Sequence, residues 1–261
     1  MKQEFSDTAK VLFIDHESSY NIGCFFQNRQ YEVSILKILK HKQIISTAWS
    51  WLGSSKVEVL ALPMLKTYRK DPENNRELVD KIKELYDQAD IIIGHNINNF
   101  DDKMSNTEFI KYGLCPSPHK TVDTLKIARD KFCFPGNRLD DLGEFLKVGK
   151  KVKHDGFTMW EQCMNGDQKA WKEMLRYNVG DVVLLKKIYY KFLPFITNHP
   201  AMRVRGDVMC DKCGSRNLIS RGTRLNRTGR IPQYQCKDCR GWNYGIRIKD
   251  VVSGRKKWVI K

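Results

Sequence analysis

The stretch that most narrows the possible architectures is Lys10 to Ser19, which reads K-V-L-F-I-D-H-E-S-S. Val11 to Ile14 is an apolar, β-prone run of the length expected for a buried strand. It ends in Asp15, His16 and Glu17. Side chains alternate along a strand, so Asp15 and Glu17 share one face and His16 takes the other. Two carboxylates about 4 Å apart repel by roughly 1 kcal/mol in water and roughly 4 kcal/mol at an effective dielectric of 20. A cation between them converts that repulsion into coordination. A solvated strand end carrying two unrelated acids is the other reading of these residues alone.

Further elements follow by period. Ile44 to Trp51 and Val57 to Leu62 read as strands joined by a turn at Gly53-Ser54-Ser55. Leu78, Ile82, Leu85 and Tyr86 have helical spacing and predict a helix from Asn74 to Ala89, with Asn as its cap. Ser19 to Tyr31 reads as a loop or short hairpin, Asp90 to Gly94 as a short buried strand, His95 to Asn99 as a turn, and Phe100 to Tyr112 as a helix. Thr121 to Asp123 predicts a last short strand. From Thr124 to Ile196 the pattern is helical, broken near Pro135-Gly136, Gly156 and Gly166. Strands first and helices later predict an α/β domain with a mixed sheet.

Two more acids stand out beside the first pair. Asp101 lies in G-H-N-I-N-N-F-D-D, at the start of a helix, where an acid also complements the helix dipole. Asp181 lies in R-Y-N-V-G-D, four residues after Tyr177 and on the same helical face. An ordinary half-buried ring and a surface charge are the plain alternative there.

D-x-E ending the first strand, H-N-x-x-x-F-D after a later one and Y-x-x-x-D on a late helix together resemble the three motifs of the DEDD exonucleases, in the branch marked by tyrosine. The histidine branch needs H-x-x-x-x-D, and position 176 is Arg176. The resemblance runs from about Val11 to Phe195 and includes K-T-V-D-T-L-K-I-A-R and N-R-L-D-D-L-G-E-F-L. It implies an RNase H-like mixed sheet flanked by helices. It also implies that Asp15, Glu17, Asp101 and Asp181 bind two divalent cations, Mg²⁺ or Mn²⁺, while Tyr177 orients the attacking water. Hard carboxylate oxygens suit those ions. One departure is His16, where the family usually carries an apolar residue. By alternation it faces away from the metals and is expected to be a satisfied or partly exposed histidine. His95 is expected in a turn. Asp102, Asp123, Asp140 and Asp141 are expected to cap or flank helices, with a supporting role open to Asp123.

The eight cysteines divide into two sets. Cys24, Cys115, Cys133 and Cys163 are scattered and read as ordinary thiols. Cys210-x-x-Cys213 and Cys236-x-x-Cys239, separated by 22 residues, have the spacing of a Cys₄ structural zinc site. Reduced thiol pairs or a redox C-x-x-C are the alternatives. A module this small buries little apolar surface, and zinc supplies roughly 10–16 kcal/mol of folding free energy in such cases. The run C-x-x-C-G-S … Q-Y-Q-C-K-D-C resembles zinc ribbons appended to transposases and other nucleic-acid enzymes.

Charge makes the same division. Residues 201–261 hold 16 of the 46 Lys and Arg and 4 of the 30 Asp and Glu, so they carry +12 of the net +16. Arg216, Arg221, Arg224, Arg227 and Arg230 lie between the cysteine pairs, with Tyr234, Trp242 and Tyr244 close by. Arginines contact phosphates and rings stack on unpaired bases. A solvated basic hairpin with core aromatics is the alternative.

Two domains are therefore expected: residues 1–199, RNase H-like, and residues 200–261, a basic zinc-ribbon module that binds nucleic acid. The expected activity is a metal-dependent 3′→5′ exonuclease on single-stranded or frayed DNA. A transposase-like strand transferase shares the fold but uses a D…D…E order that gives no role to D-x-E or Tyr177. A binding factor with an inactive nuclease domain has no use for all the motif acids. No apolar run approaches the length of a membrane span and the first residues lack an apolar signal core, so an intracellular, cytoplasmic protein is expected. The resemblance to two-part chains of this kind implies a phage- or mobile-element-encoded origin as an expectation.

Overall fold

The computed structural model describes residues 8–24, 36–152, 155–202, 209–227, 229–249 and 256–260. In chain order these form β1 (Val11–Ser18), β2 (Ile22–Cys24), β3 (Lys37–Lys40), β4 (Ile44–Trp51), β5 (Glu58–Ala61), α1 (Arg76–Gln88), β6 (Ile91–Gly94), α2 (Asp101–Lys111) and β7 (Lys120–Asp123). Then follow α3 (Thr124–Lys131), α4 (Leu139–Phe145), α5 (Phe157–Met164), α6 (Gln168–Phe192), β8 (Leu218–Asn226), β9 (Gly229–Cys236), β10 (Trp242–Lys249) and β11 (Lys256–Ile260). The part of the expected Ser19–Tyr31 loop beyond Cys24 lies outside the described residues.

The principal sheet has the order β5-β4-β1-β6-β7. β1 is antiparallel to β4 and parallel to β6, and β6 is parallel to β7. This is the mixed α/β sheet expected. The strand that ends in Asp15 and Glu17 is central because its apolar residues fill both faces. Leu12 and Ile14 pack with α1 and the first half of α6, including Ile82, Trp171 and Met174. Val11 and Phe13 pack with Ile127, Leu142, Val182 and Ile188 of α3, α4 and the second half of α6. α6 therefore contributes to both layers of core. Truncating a fully buried side chain such as Leu12 to Ala costs about 2–5 kcal/mol.

Helix α1 begins two residues later than its apolar period predicts. The Asn74 carboxamide accepts the Arg76 N–H at 3.0 Å, while Asn75 turns inward and donates to the Ile44 carbonyl at 3.2 Å. The parallel pair β6 and β7 is joined through α2. On α4, a Cβ at Gly143 would lie 2.6 Å from the Gly149 carbonyl oxygen, so only glycine permits that approach.

A second sheet, ordered β11-β10-β9-β8, follows α6. Its β8–β9 hairpin connects the two cysteine pairs. This sheet is not merely tethered. The Ala9 N–H donates to the Met202 carbonyl at 2.7 Å, the Met202 N–H to the Asp211 carbonyl at 2.9 Å, and Lys212 Nζ to the Pro194 carbonyl at 2.9 Å. Cys213 and Cys239 pack against the core around Phe192, Leu193, Ile196 and Met202. Among the described residues no helix is long and apolar enough to cross a membrane.

Candidate active site and cysteine cluster

Asp15 and Glu17 leave the end of β1 on one side, opposite Ala48 and Ser46 of β4. Asp181 comes from the middle of α6, where the helix crosses that end. Carboxylate oxygens of Asp15, Glu17 and Asp181 all lie within 4.8 Å of one another. Asp181 is buried, and the other two are partly buried. Asp101, the first residue of α2, is buried beside them but outside this group of three, and its Oδ1 accepts the His16 N–H at 3.0 Å. Tyr177, one turn before Asp181, is buried with its hydroxyl 2.9 Å from Lys151 Nζ.

The electrostatics follow from this crowding. Burial first, then the charges of Asp181, Glu17 and Asp101, push the Asp15 carboxyl well above its usual range. Burial and Asp181 push Glu17 up to about 8. Burial raises Asp101 to about 7, against the pull of the His16 N–H. Hard oxygen donors that burial, and then the charge of their neighbours, keep protonated near neutral pH are a donor set that a divalent cation relieves. Within this structure Lys151 supplies part of that relief. Its Nζ lies 2.5 Å from Asp181 Oδ2 and 5.0 Å from the Tyr177 ring centroid. Burial acts to lower the Lys151 ammonium, but Asp181 and Tyr177 outweigh it and hold it above its usual value.

Several residues around the acids are not picked out by motif. Asn178 is fully buried, donates from Nδ2 to Asp15 Oδ2 at 2.7 Å, and accepts from Ser46 Oγ at 2.8 Å. It fixes the Asp15 carboxylate from α6, and its spacing of three from Asp181 is the one signal that points to it. Lys151 comes from an irregular segment that crosses α6 at Gly180, where an added Cβ would meet Val152 Cγ2 at 3.0 Å. Tyr20 and Phe157 meet at 5.0 Å with their planes tilted by 53°, and Trp160 meets Tyr177 edge-on at 6.0 Å.

His16 behaves as its strand parity predicts. It points away from the acids, buried, with Nδ1 2.8 Å from Thr47 Oγ1 and Nε2 2.9 Å from Ser105 Oγ. Burial lowers it to about 3, so the ring is neutral. His95 bridges Thr124 Oγ1 and the Asn137 carbonyl. Asp123 caps α3 through Leu125 and Lys126 N–H and accepts from Asn96 and Asn98 N–H. It thereby pins the turn before Asp101, in which Asn96 has a φ of 67°. Asp140 accepts the Lys151 N–H at 2.7 Å, and Asp141, in the first turn of α4, accepts the Arg138 N–H at 3.1 Å. Asp102 pairs with His119 at 3.0 Å.

Cys210, Cys213, Cys236 and Cys239 also form one group, with sulfurs within 4.8 Å of each other. The Cys210–Cys239 and Cys213–Cys236 separations are 3.6 and 3.7 Å. A disulfide requires about 2.05 Å. The edge of a tetrahedron with metal–sulfur bonds of about 2.3 Å is roughly 3.8 Å, so the donor set fits zinc. Cys24, Cys115 and Cys133 are exposed, and Cys163 is buried.

The expected nucleic-acid-binding residues are spread over the hairpin. Arg221, Arg224, Arg227 and Arg230 are exposed on it. Arg221 Nε bonds Gln235 Oε1, and the Arg224 guanidinium sits 4.3 Å from the Tyr244 ring centroid. Arg230 reaches Thr223 Oγ1 at 3.3 Å. Tyr234 is half-buried, Arg216 is exposed, and Trp242 is 38% exposed.

A sequence family described as the RNase_H superfamily matches residues 39–193. The chain belongs to the RNase H superfamily. The match begins after β1, so it covers Asp101, Tyr177 and Asp181 but not Asp15 or Glu17. The chain is 34% identical over 96 residues to a DNA polymerase III PolC-type of Pediococcus pentosaceus, a match covering 36% of this chain and 6% of that protein. A PolC-type polymerase of Ureaplasma parvum is 41% identical over 59 residues, covering 23% of this chain and 4% of the relative. The chain thus spans only a small fraction of these relatives. The family B DNA polymerase of the archaeon Pyrobaculum calidifontis shares the fold, with a TM-score of 0.52 and 20% identity over 74% of this chain and 26% of that one.

Proposed function

We propose that this chain is a metal-dependent nuclease, a 3′→5′ exonuclease that acts on single-stranded or frayed DNA inside the cell. The observation that carries the reading is the convergence of Asp15, Glu17 and Asp181 beside the Tyr177 hydroxyl. The similarity to DNA polymerases supports DNA as the polymer. Residues 1–199 would supply the chemistry, and residues 200–261, folded around one zinc ion, would hold the strand through their arginines and rings.

Asp15, Glu17, Asp101 and Asp181 would hold two Mg²⁺ or Mn²⁺ ions. Ions so held supply a hydroxide-like nucleophile and stabilise charge on the leaving oxygen. The rest is done by the chain. Asn178 aims one Asp15 oxygen. The Tyr177 hydroxyl, with Glu17, orients the attacking water. Lys151, already bonded to Tyr177 and Asp181, sets the direction of that hydroxyl and balances the buried negative charge. Burial of the acids excludes bulk water and strengthens each of these interactions.

The test is incubation of end-labelled single strands with Mg²⁺ or Mn²⁺. Wild type is expected to release mononucleotides from the 3′ end, and Asp181→Asn to release none while keeping its fold. Equal release by the variant, or strand joining in place of hydrolysis, refutes the assignment.

A further inference from the structure

Two cavities away from the acids adjoin one another. The larger, 530 Å³, opens at the seam between the second sheet and the segment after α6, with Trp242, Tyr244 and Lys212 on one side and Pro194 and Thr197 on the other. The smaller, 210 Å³, follows β7 and α3 past Lys126, Asp130 and Lys131 to Asn98. Asn198 and His199 line both, so the two adjoin at these residues and together make up the cleft. β7 is the last strand of its sheet, and its outer edge borders this cleft.

The ends of the cleft differ in chemistry. At the seam stands Trp242, 38% exposed, beside the Tyr244 ring that Arg224 covers. That end is continuous with the arginine hairpin. At the other end Asn98 lies three residues before Asp101, held by Asp123 and by Thr121 Oγ1 at 2.7 Å. The lining holds three lysines (Lys126, Lys131, Lys212) and three aspartates (Asp123, Asp130, Asp211). The lining is close to neutral, so it is not a trough for phosphates. It offers rings at one end and amide and hydroxyl groups beyond, which suits nucleobases rather than a backbone. Its volume admits no duplex.

We propose that this cleft is the track along which a single strand reaches the acids, its unpaired bases turned inward, one stacking on Trp242, and its phosphates outward toward the hairpin arginines. The proposal rests on the nuclease reading, and it adds what that reading lacks: a physical reason for a single-stranded substrate and a route from the second sheet to Asp101.

The experiment compares a dinucleotide, which occupies only the acid site, with a strand of about 20 nucleotides, using the full zinc-loaded chain. Stacking on one ring is worth enough that Trp242→Ala is expected to raise KM for the long strand about tenfold. The dinucleotide is too short to reach Trp242, so its KM should rise far less than that of the long strand. Trp242→Phe, which keeps a ring, should restore the wild-type value and so separate stacking from folding. Lys131→Glu, on α3 and away from the second sheet, should also raise KM for the long strand alone. Equal effects on both lengths, or none, overturn the track. If wild type cleaves neither substrate, the nuclease reading fails by itself. The track is then judged by fluorescence anisotropy of a labelled strand: affinity lost in Trp242→Ala and regained in Trp242→Phe supports it, and unchanged affinity overturns it.

Discussion

Lys151 and Asn178 govern how the acids sit, and neither belongs to a motif. Lys151→Ala removes the cation that holds the Tyr177 hydroxyl and the Asp181 carboxylate. The expected result is a fall in kcat of about 10²-fold, the order seen when a positioning group is lost, with an unaltered circular dichroism spectrum. Asn178→Leu leaves Asp15 and Ser46 without their buried partner. It should cost about 1–3 kcal/mol in chemical denaturation and reduce activity as well. A third residue reports on pH. His95 is lowered to about 4, mainly by burial, from an ordinary value of 6.5. As pH falls through that window the unfolded chain binds the proton first, so the stability present at neutral pH is lost, by up to about 1.4 kcal/mol per unit. Glu17 and Asp101, raised to about 8 and about 7, act with the opposite sign. The measurement is therefore the difference between wild type and His95→Gln, whose melting temperatures should converge from pH 6.5 to pH 4. A constant gap would show that His95 does not titrate in this range.

At the scale of elements, what could be read in advance depended on whether a segment buries a face. β1, β4, β6 and α1 announce themselves because their periods match a core on one or both sides. β3 does not, because among the described residues Lys37–Lys40 pairs with β2 alone, in a two-stranded ribbon, and turns its side chains mostly to solvent. The same distinction explains the site. Asp15, Glu17, Tyr177 and Asp181 ride on regular elements, so their shared faces follow from parity and helical spacing. Lys151 arrives on an irregular segment whose path is set by what it packs over, Gly180 and the end of α4, and no local pattern encodes that. Gly143 is the pivot of this packing, pressed between the Gly149 carbonyl and Leu184. Gly143→Ala should destabilise the protein by about 1–3 kcal/mol through overpacking, despite the better helix propensity of alanine, as read from a urea transition. A stabilised variant would mean that the α4–α6 contact is looser than described.

At the scale of the whole molecule, the cysteine cluster is built into the end of α6, the helix that carries Tyr177 and Asp181. Lys212, between two of the cysteines, bonds Pro194, and Met202 joins the strand leading into β1 to the first cysteine turn. Removing the zinc ion proposed for this cluster with a chelator should therefore speed amide exchange at the end of α6 and lower the melting temperature of the entire chain. Two independent melting transitions, with only the second sheet affected, would contradict that coupling. The central claim is narrower: crowded acids of β1 and α6 exist to hold divalent ions. It is tested most directly by titrating Mn²⁺ into the zinc-loaded protein, free of other divalent ions, and counting bound ions by electron paramagnetic resonance. The account predicts two saturable ions per chain in the wild type, bound more weakly at pH 6 than at pH 8 because Glu17 and its neighbours then keep their protons, and their loss in Asp15→Asn and Asp181→Asn. Saturable binding that survives both substitutions, or none in the wild type, would contradict it.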